Sequence, residues 1–100
     1  MLWAITCVDR PDTAAARESA LLPHRAYLGS QKKILVLAGA TQTDDGNTAT
    51  GSLFVVNVGS REEAQRFIDG DPFNKAGVFA SIAITRMRKG QWNPEAAEGA

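Results

Sequence analysis

Two segments of this chain, residues 2–8 and 51–58, alternate β-forming side chains in such a way that neither face of the strand is polar. In the first, Leu2, Ala4, Thr6 and Val8 share one face, and Trp3, Ile5 and Cys7 share the other. In the second, Ser52, Phe54, Val56 and Val58 oppose Leu53 and Val55. Strands of this kind need cover on both sides. With 100 residues there is material for one modest core, so a single layer of helices is all the chain itself can supply.

The remaining segments fall into order around these two. Asp9-Arg10-Pro11-Asp12-Thr13 is a turn and helix start in which Asp12 or Thr13 can cap the free N–H groups. From Ala14 the spacing is helical: Arg17, Leu21, His24 and Leu28 form one stripe, with Ala20 and Tyr27 beside it. Pro23 lacks an N–H and disfavours α geometry at Leu22, which predicts two helical pieces with His24 near the start of the second. Ile34-Leu35-Val36-Leu37-Ala38, bounded by Gly39, reads as the second strand, and residues 41–50 as a hairpin loop turning at Asp45-Gly46-Asn47. Ser60-Arg61-Glu62-Glu63 is a capping box that opens a short helix carrying Ala64, Phe67 and Ile68 and ending at Gly70. Asp71 and Pro72 begin one more helical turn that stops at Gly77, and residues 78–87 alternate as the last strand. The order β-α-β-β-α-β predicts an α+β, ferredoxin-like fold: a four-stranded antiparallel sheet with both crossover helices on one face. It forms one domain over residues 1–89, followed by a flexible C-terminal tail at residues 90–100. The other sheet face would then expose more apolar surface than monomers tolerate. The expected solution is a homodimer whose two sheets pack face to face as a dimeric α/β barrel.

Composition removes several function classes. Eleven basic and eleven acidic residues leave no net charge, which argues against nucleic-acid partners. The apolar run at the N-terminus ends at Asp9, far short of the roughly 20 residues a membrane helix needs, and no basic leader precedes it. A lone Cys7 gives no disulfide framework, so the expected location is cytoplasmic with a reduced thiol. One cysteine and one histidine cannot build a four-ligand zinc site, no spacing singles out another metal, and the glycines form no nucleotide-binding motif. No cofactor is expected.

The single histidine is therefore the centre of any acid-base chemistry near neutral pH. His24 is either a structural, hydrogen-bonded helix residue or a general acid-base group, and the second role needs a carboxylate on its other ring nitrogen. Asp9, Asp12, Asp69 and Asp71 all stand near element ends that can approach it. Asp71 is the preferred partner and Asp9 the main competitor; an Asp-Pro pair is also a common N-cap, and Asp71 can serve both purposes. Arg17, on the His24 stripe, can pair with a substrate carboxylate or form a structural ion pair. Ser52 can donate to a substrate or simply open its strand. Cys7, in an apolar strand, reads as a small buried hydrophobe.

Arg17 followed by His24, Leu37-Ala38-Gly39, Gly51-Ser52, the alanine-containing second helix, and Asp71-Pro72-Phe73 with Ala76-Gly77-Val78-Phe79 together resemble the YCII (YciI-like) family over residues 1–89. In this chain Gly39-Ala40 stands where the family often has glycine-proline, at the expected pocket mouth. The resemblance implies a dimeric α/β barrel with a histidine–aspartate acid-base pair, here His24 and Asp71; Arg17 and Ser52 are the substrate-binding candidates from the reading of the residues. It implies a lyase or isomerase of the dehydrochlorinase or muconolactone-isomerase kind, acting on a small carbonyl, lactone or phenolic compound. The alternative is a non-catalytic dimeric module that binds a small metabolite or a protein partner.

Overall fold

A computed structural model describes all residues, 1–100. Strand β1 (Leu2–Asp9) leads into helix α1 (Ala14–Ser30), followed by β2 (Leu35–Gln42), β3 (Ala49–Asn57), α2 (Arg61–Asp69), the single turn α3 (Pro72–Lys75) and β4 (Phe79–Met87). The strands form one antiparallel sheet in the order β2-β3-β1-β4, which is the ferredoxin-like α+β arrangement. No helix is long and apolar enough to cross a membrane.

Pairing register decides which side chains meet the helices. Ile5 lies opposite Phe54 on β3 and Ile84 on β4, and Trp3 lies opposite Val56, so these residues share the covered face. They join Ala20 from α1, Ala64, Phe67 and Ile68 from α2, and Phe73, Val78 and Phe79 in one buried cluster. The opposite face carries Leu2, Val8, Leu37, Leu53, Val55 and Met87, none of them covered by a helix; Val8 and Leu37 are 53% and 54% exposed.

Several boundaries differ from the sequence reading. Helix α1 is not divided at Pro23 but runs unbroken through it. Pro23 and Ser19, whose carbonyl loses its partner, both face solvent, where water can take up the freed oxygen. Leu21, His24, Tyr27 and Leu28 hold the other side of the helix against the core across the same turns. His24 therefore sits in mid-helix, away from any N-terminal N–H groups. Neither expected cap forms at the start of α1. Asp12 adopts a left-handed conformation (φ 58°) in the turn, and Thr13 Oγ1 donates to Asp9 instead of accepting from the helix. Strand β2 begins and ends later than its apolar run suggests, because a register shift between Leu35 and Leu37 takes up one residue and Thr41 and Gln42 still pair with β3. The serine half of the capping box forms, with Ser60 Oγ accepting from Glu63 N, while the Glu63 carboxylate accepts from Gly59 N, one residue before the cap, instead of from Ser60 N. Beyond β4 the chain is exposed and carries a 3-10 turn at Pro94–Ala97.

Two glycines allow the close approaches that shape the site. A Cβ at Gly51 would lie 2.1 Å from the Cys7 carbonyl oxygen, and one at Gly70 would lie 2.6 Å from the Tyr27 hydroxyl. The first approach brings β3 against β1 beneath Arg17. The second lets Tyr27 donate to the Phe67 carbonyl at 2.7 Å, tying α1 to α2 three residues beyond His24.

Candidate active site

Arg17, Leu21, His24 and Arg25 from α1, Ala38, Gly39 and Ala40 from β2, Ser52 and Phe54 from β3, and Phe73 from α3 enclose a cavity of about 370 Å³. This volume is of the size used for small ligands. The helical stripe positions its α1 wall, the covered face of the sheet its floor, and the cap of α3 its back.

The cap is the key element. Asp71, completely buried, precedes Pro72 and turns the chain into α3, with its Oδ1 accepting the Phe73 N–H at 2.9 Å. The same oxygen lies 2.7 Å from His24 Nδ1. An oxygen that already accepts one N–H is an acceptor for the second, so Nδ1 carries the proton and Nε2 is the nitrogen left with a lone pair for a ligand. Asp71 Oδ2 is buried and finds no hydrogen-bond partner in the protein. Phe73 also supports the imidazole: the two rings stack at 3.7 Å between centroids and 13° between planes. Phe54 meets the imidazole edge-on at 6.4 Å. Hydrogen bond and stack together fix the plane and direction of the ring.

The competing carboxylate is otherwise engaged. Asp9 accepts from Arg17 Nε at 2.7 Å and from Arg17 Nη2 at 3.0 Å, a two-pronged pair with side-chain exposures of 6% and 13%. Nη2 also donates to the Gly51 carbonyl at 2.7 Å and to Ser52 Oγ at 3.1 Å, and the guanidinium lies 4.9 Å from the Phe73 centroid. Arg17 thus ties the end of β1 and the start of β3 to α1. Asp12 is exposed in its turn, and Asp69 accepts from Gln65 on the surface of α2. All four singled-out residues, His24, Asp71, Arg17 and Ser52, come together here: His24, Arg17 and Ser52 line the cavity, and Asp71 stands behind the imidazole. Gly39 and Ala40 form part of the rim.

Two contributors were not singled out from the sequence. Phe73 belongs to the quoted Asp-Pro-Phe run, but its stacking depends on the angle between α3 and α1. Arg25 is adjacent to His24 and turned about 80° around the helix from Arg17, a flank position that the stripe pattern alone passes over.

Cys7 lies near these groups without joining them. Burial, then the negative charges of Asp71 and Asp9, push its thiol from the ordinary 9.0 up to about 12, with Arg17 opposing. The native thiol is expected to resist a disulfide reagent at pH 8 and to react stoichiometrically in denaturant; rapid native-state reaction would show that β1 opens. Stability should also fall as pH rises from about 9 toward 12, because there the unfolded chain releases a thiol proton that the folded one retains.

The family model for the YCII-related domain matches residues 1–88. Protein YciI of Escherichia coli O6:H1 and of Shigella flexneri are each 30% identical over 96 residues, covering 89% of this chain and 98% of the relative. A solved structure of 5-chloro-2-hydroxyhydroquinone dehydrochlorinase from Burkholderia phenoliruptrix, in complex with 2,5-dihydroxybenzoquinone, is similar with a TM-score of 0.80 and 33% identity, covering 88% of this chain and 94% of that one. With the family model spanning nearly the whole sheet and both sides of the cavity, the chain belongs to the YCII-related domain family.

Proposed function

We propose that the cavity is the active site of a small, cofactor-free enzyme in which His24, aimed by Asp71, moves a proton on a small carbonyl, lactone or phenolic compound, leading to elimination or isomerisation. The observation that carries this reading is the 2.7 Å contact from a fully buried carboxylate oxygen to Nδ1, which commits one imidazole nitrogen and leaves Nε2 for the substrate. The Asp71 contact and the Phe73 face hold the ring in one plane while Nε2 takes and returns a proton. Arg17, neutralised by Asp9, has Nη1 left to donate to a substrate oxygen, and the Ser52 hydroxyl, which accepts from Arg17, has its own proton to give. Both act as positioning donors in this scheme.

A chlorinated hydroxyhydroquinone, the substrate class in the similar dehydrochlorinase's name, suits such a site. Loss of hydrogen chloride converts two ring hydroxyls to carbonyls while C–Cl becomes C–H. One hydroxyl proton is carried to the ring carbon, a second is released, and chloride departs with the C–Cl bonding pair. The ring's two-electron oxidation is balanced by loss of the C–Cl bond, so no external oxidant is needed. One base that takes a proton from oxygen and returns it to carbon is enough. Incubation with 5-chloro-2-hydroxyhydroquinone should release chloride with appearance of the quinone chromophore faster than in buffer alone. Release at the buffer rate, with no turnover of small lactones either, would end this reading.

The proposed assembly is a homodimer closed across the open sheet face. Leu2, Leu37, Val55 and Met87 line a hollow of about 810 Å³ there, together with Trp92 from the C-terminal segment. A face with this much apolar surface is a natural contact for its own copy. Light scattering at micromolar concentration should give twice the chain mass, and Val55→Asp, which puts a carboxylate in the middle of that face, should give a monomer. A native monomer would remove the barrel.

A further inference from the structure

We infer that the ligand of this cavity is a small planar anion and that Arg25 receives its charge. This rests on the reading of the cavity as the His24 site and names the substrate class for it. Two arginines line the cavity, but only one of them has charge to offer. Arg17 is held side-on by Asp9 and bonded further to Gly51 and Ser52, so the pair as a whole presents no net charge. Asp71, fully buried behind the imidazole, leaves the inner part of the site on the negative side while His24 is neutral. An anionic ligand would be repelled by that arrangement unless a cation stood at the entrance.

Arg25 stands there. It is exposed, it takes no part in the three ion pairs of the molecule, and its guanidinium makes none of the side-chain hydrogen bonds. Following His24 directly, it is turned about 100° around α1 and raised about 1.5 Å along it, so it meets the rim while the imidazole meets the interior. Leu21, Ala38, Phe54 and Phe73 supply the apolar lining of the same cavity. A ring lying against that lining, with its reacting carbon at Nε2 and a carboxylate or phenolate oxygen at the rim, satisfies both side chains. A guanidinium that is not already paired gives such an oxygen a charge-assisted hydrogen bond at no cost of breaking another ion pair.

The test uses the intact protein and two probes of nearly the same shape, the anionic 2,5-dihydroxybenzoate and the neutral 2,5-dihydroxybenzamide, in calorimetric titrations. The acid is expected to bind about tenfold more tightly than the amide, a preference that salt weakens. Arg25→Gln should abolish the preference by weakening the acid much more than the amide, and Arg25→Lys should keep most of it. Because Arg25 is exposed, neither substitution should move the unfolding midpoint. Equal affinities in the native protein, a preference that survives Arg25→Gln, or failure of the acid to bind would each overturn the assignment. His24→Gln separates this from the catalytic reading. It should retain the preference for the acid, so a charge preference without His24-dependent turnover refutes the base and keeps Arg25, whereas His24-dependent turnover without a preference does the reverse.

Discussion

His24→Gln is expected to lower turnover by about 10²–10⁴-fold, the range that a positioned acid-base group contributes, with the fold unchanged. Glutamine is a demanding replacement for this position. Its amide can still donate to Asp71 Oδ1, so the buried carboxylate keeps a partner, and its planar end group can still lie over Phe73. What it lacks is a nitrogen able to take a proton near neutral pH. The loss should therefore fall on kcat and leave the affinity for unreactive ligands nearly as it was, since cavity shape and charge at the rim are preserved. Chloride release and circular dichroism, measured on the same preparation, check both halves. Turnover within a factor of a few of the native rate, in a folded variant, would remove the imidazole from the mechanism.

The second large effect is expected at Asp71, where two variants divide the two duties of the residue. Asp71→Ala removes the cap of α3 and the acceptor for the imidazole together. It should cost about 0.5–2 kcal/mol of stability for the cap, more for the unpaired Nδ1–H, and about 10²-fold or more in turnover. Asp71→Asn keeps an oxygen that can accept from Phe73 N, so much of the cap survives. If that oxygen also accepts from Nδ1–H, the geometry remains but the negative charge behind the imidazolium is gone; if the amide turns, it donates to Nδ1 and forces the proton onto Nε2, the wrong tautomer for a base. Both routes lower turnover, so the asparagine variant is expected to unfold at a higher temperature than the alanine variant while being comparably inactive. An asparagine variant with native turnover would show that the carboxylate is a cap and nothing more.

The element order was legible because the chain marks its own ends: Asp45-Gly46-Asn47, the Ser60–Glu63 box and Asp71-Pro72 each specify a local geometry with few alternatives. The partner of His24 was legible only as far as a choice between Asp71 and Asp9; the structure shows Asp71, because the cap of α3 turns its carboxylate toward the stripe on α1 while Asp9 is held by Arg17. Pro23 was misread because its effect depends on whether the freed carbonyl meets water or core, a property of tertiary packing. Arg17 could be placed at the site but not described, because its partners Asp9, Gly51 and Ser52 come from two strands whose register no local pattern specifies. Arg25 was missed for the opposite reason. It has no partner, so nothing in the spacing of other residues points to it.

Asp71 Oδ1 both begins α3 and aims the imidazole, and that shared atom bears on how selection experiments on this protein are to be interpreted. A library screened only for soluble, folded chains would keep a capping residue, aspartate or asparagine, at position 71 even in a protein with no reaction to perform, so intolerance of other residues there says little about chemistry. Position 24 is more informative: folding asks only for a side chain that can cover Phe73 and occupy Asp71, whereas proton transfer asks for histidine. The gap between the substitutions that survive a folding screen and those that survive an activity screen should therefore be wide at position 24, and at position 71 should come down to capping residues such as asparagine.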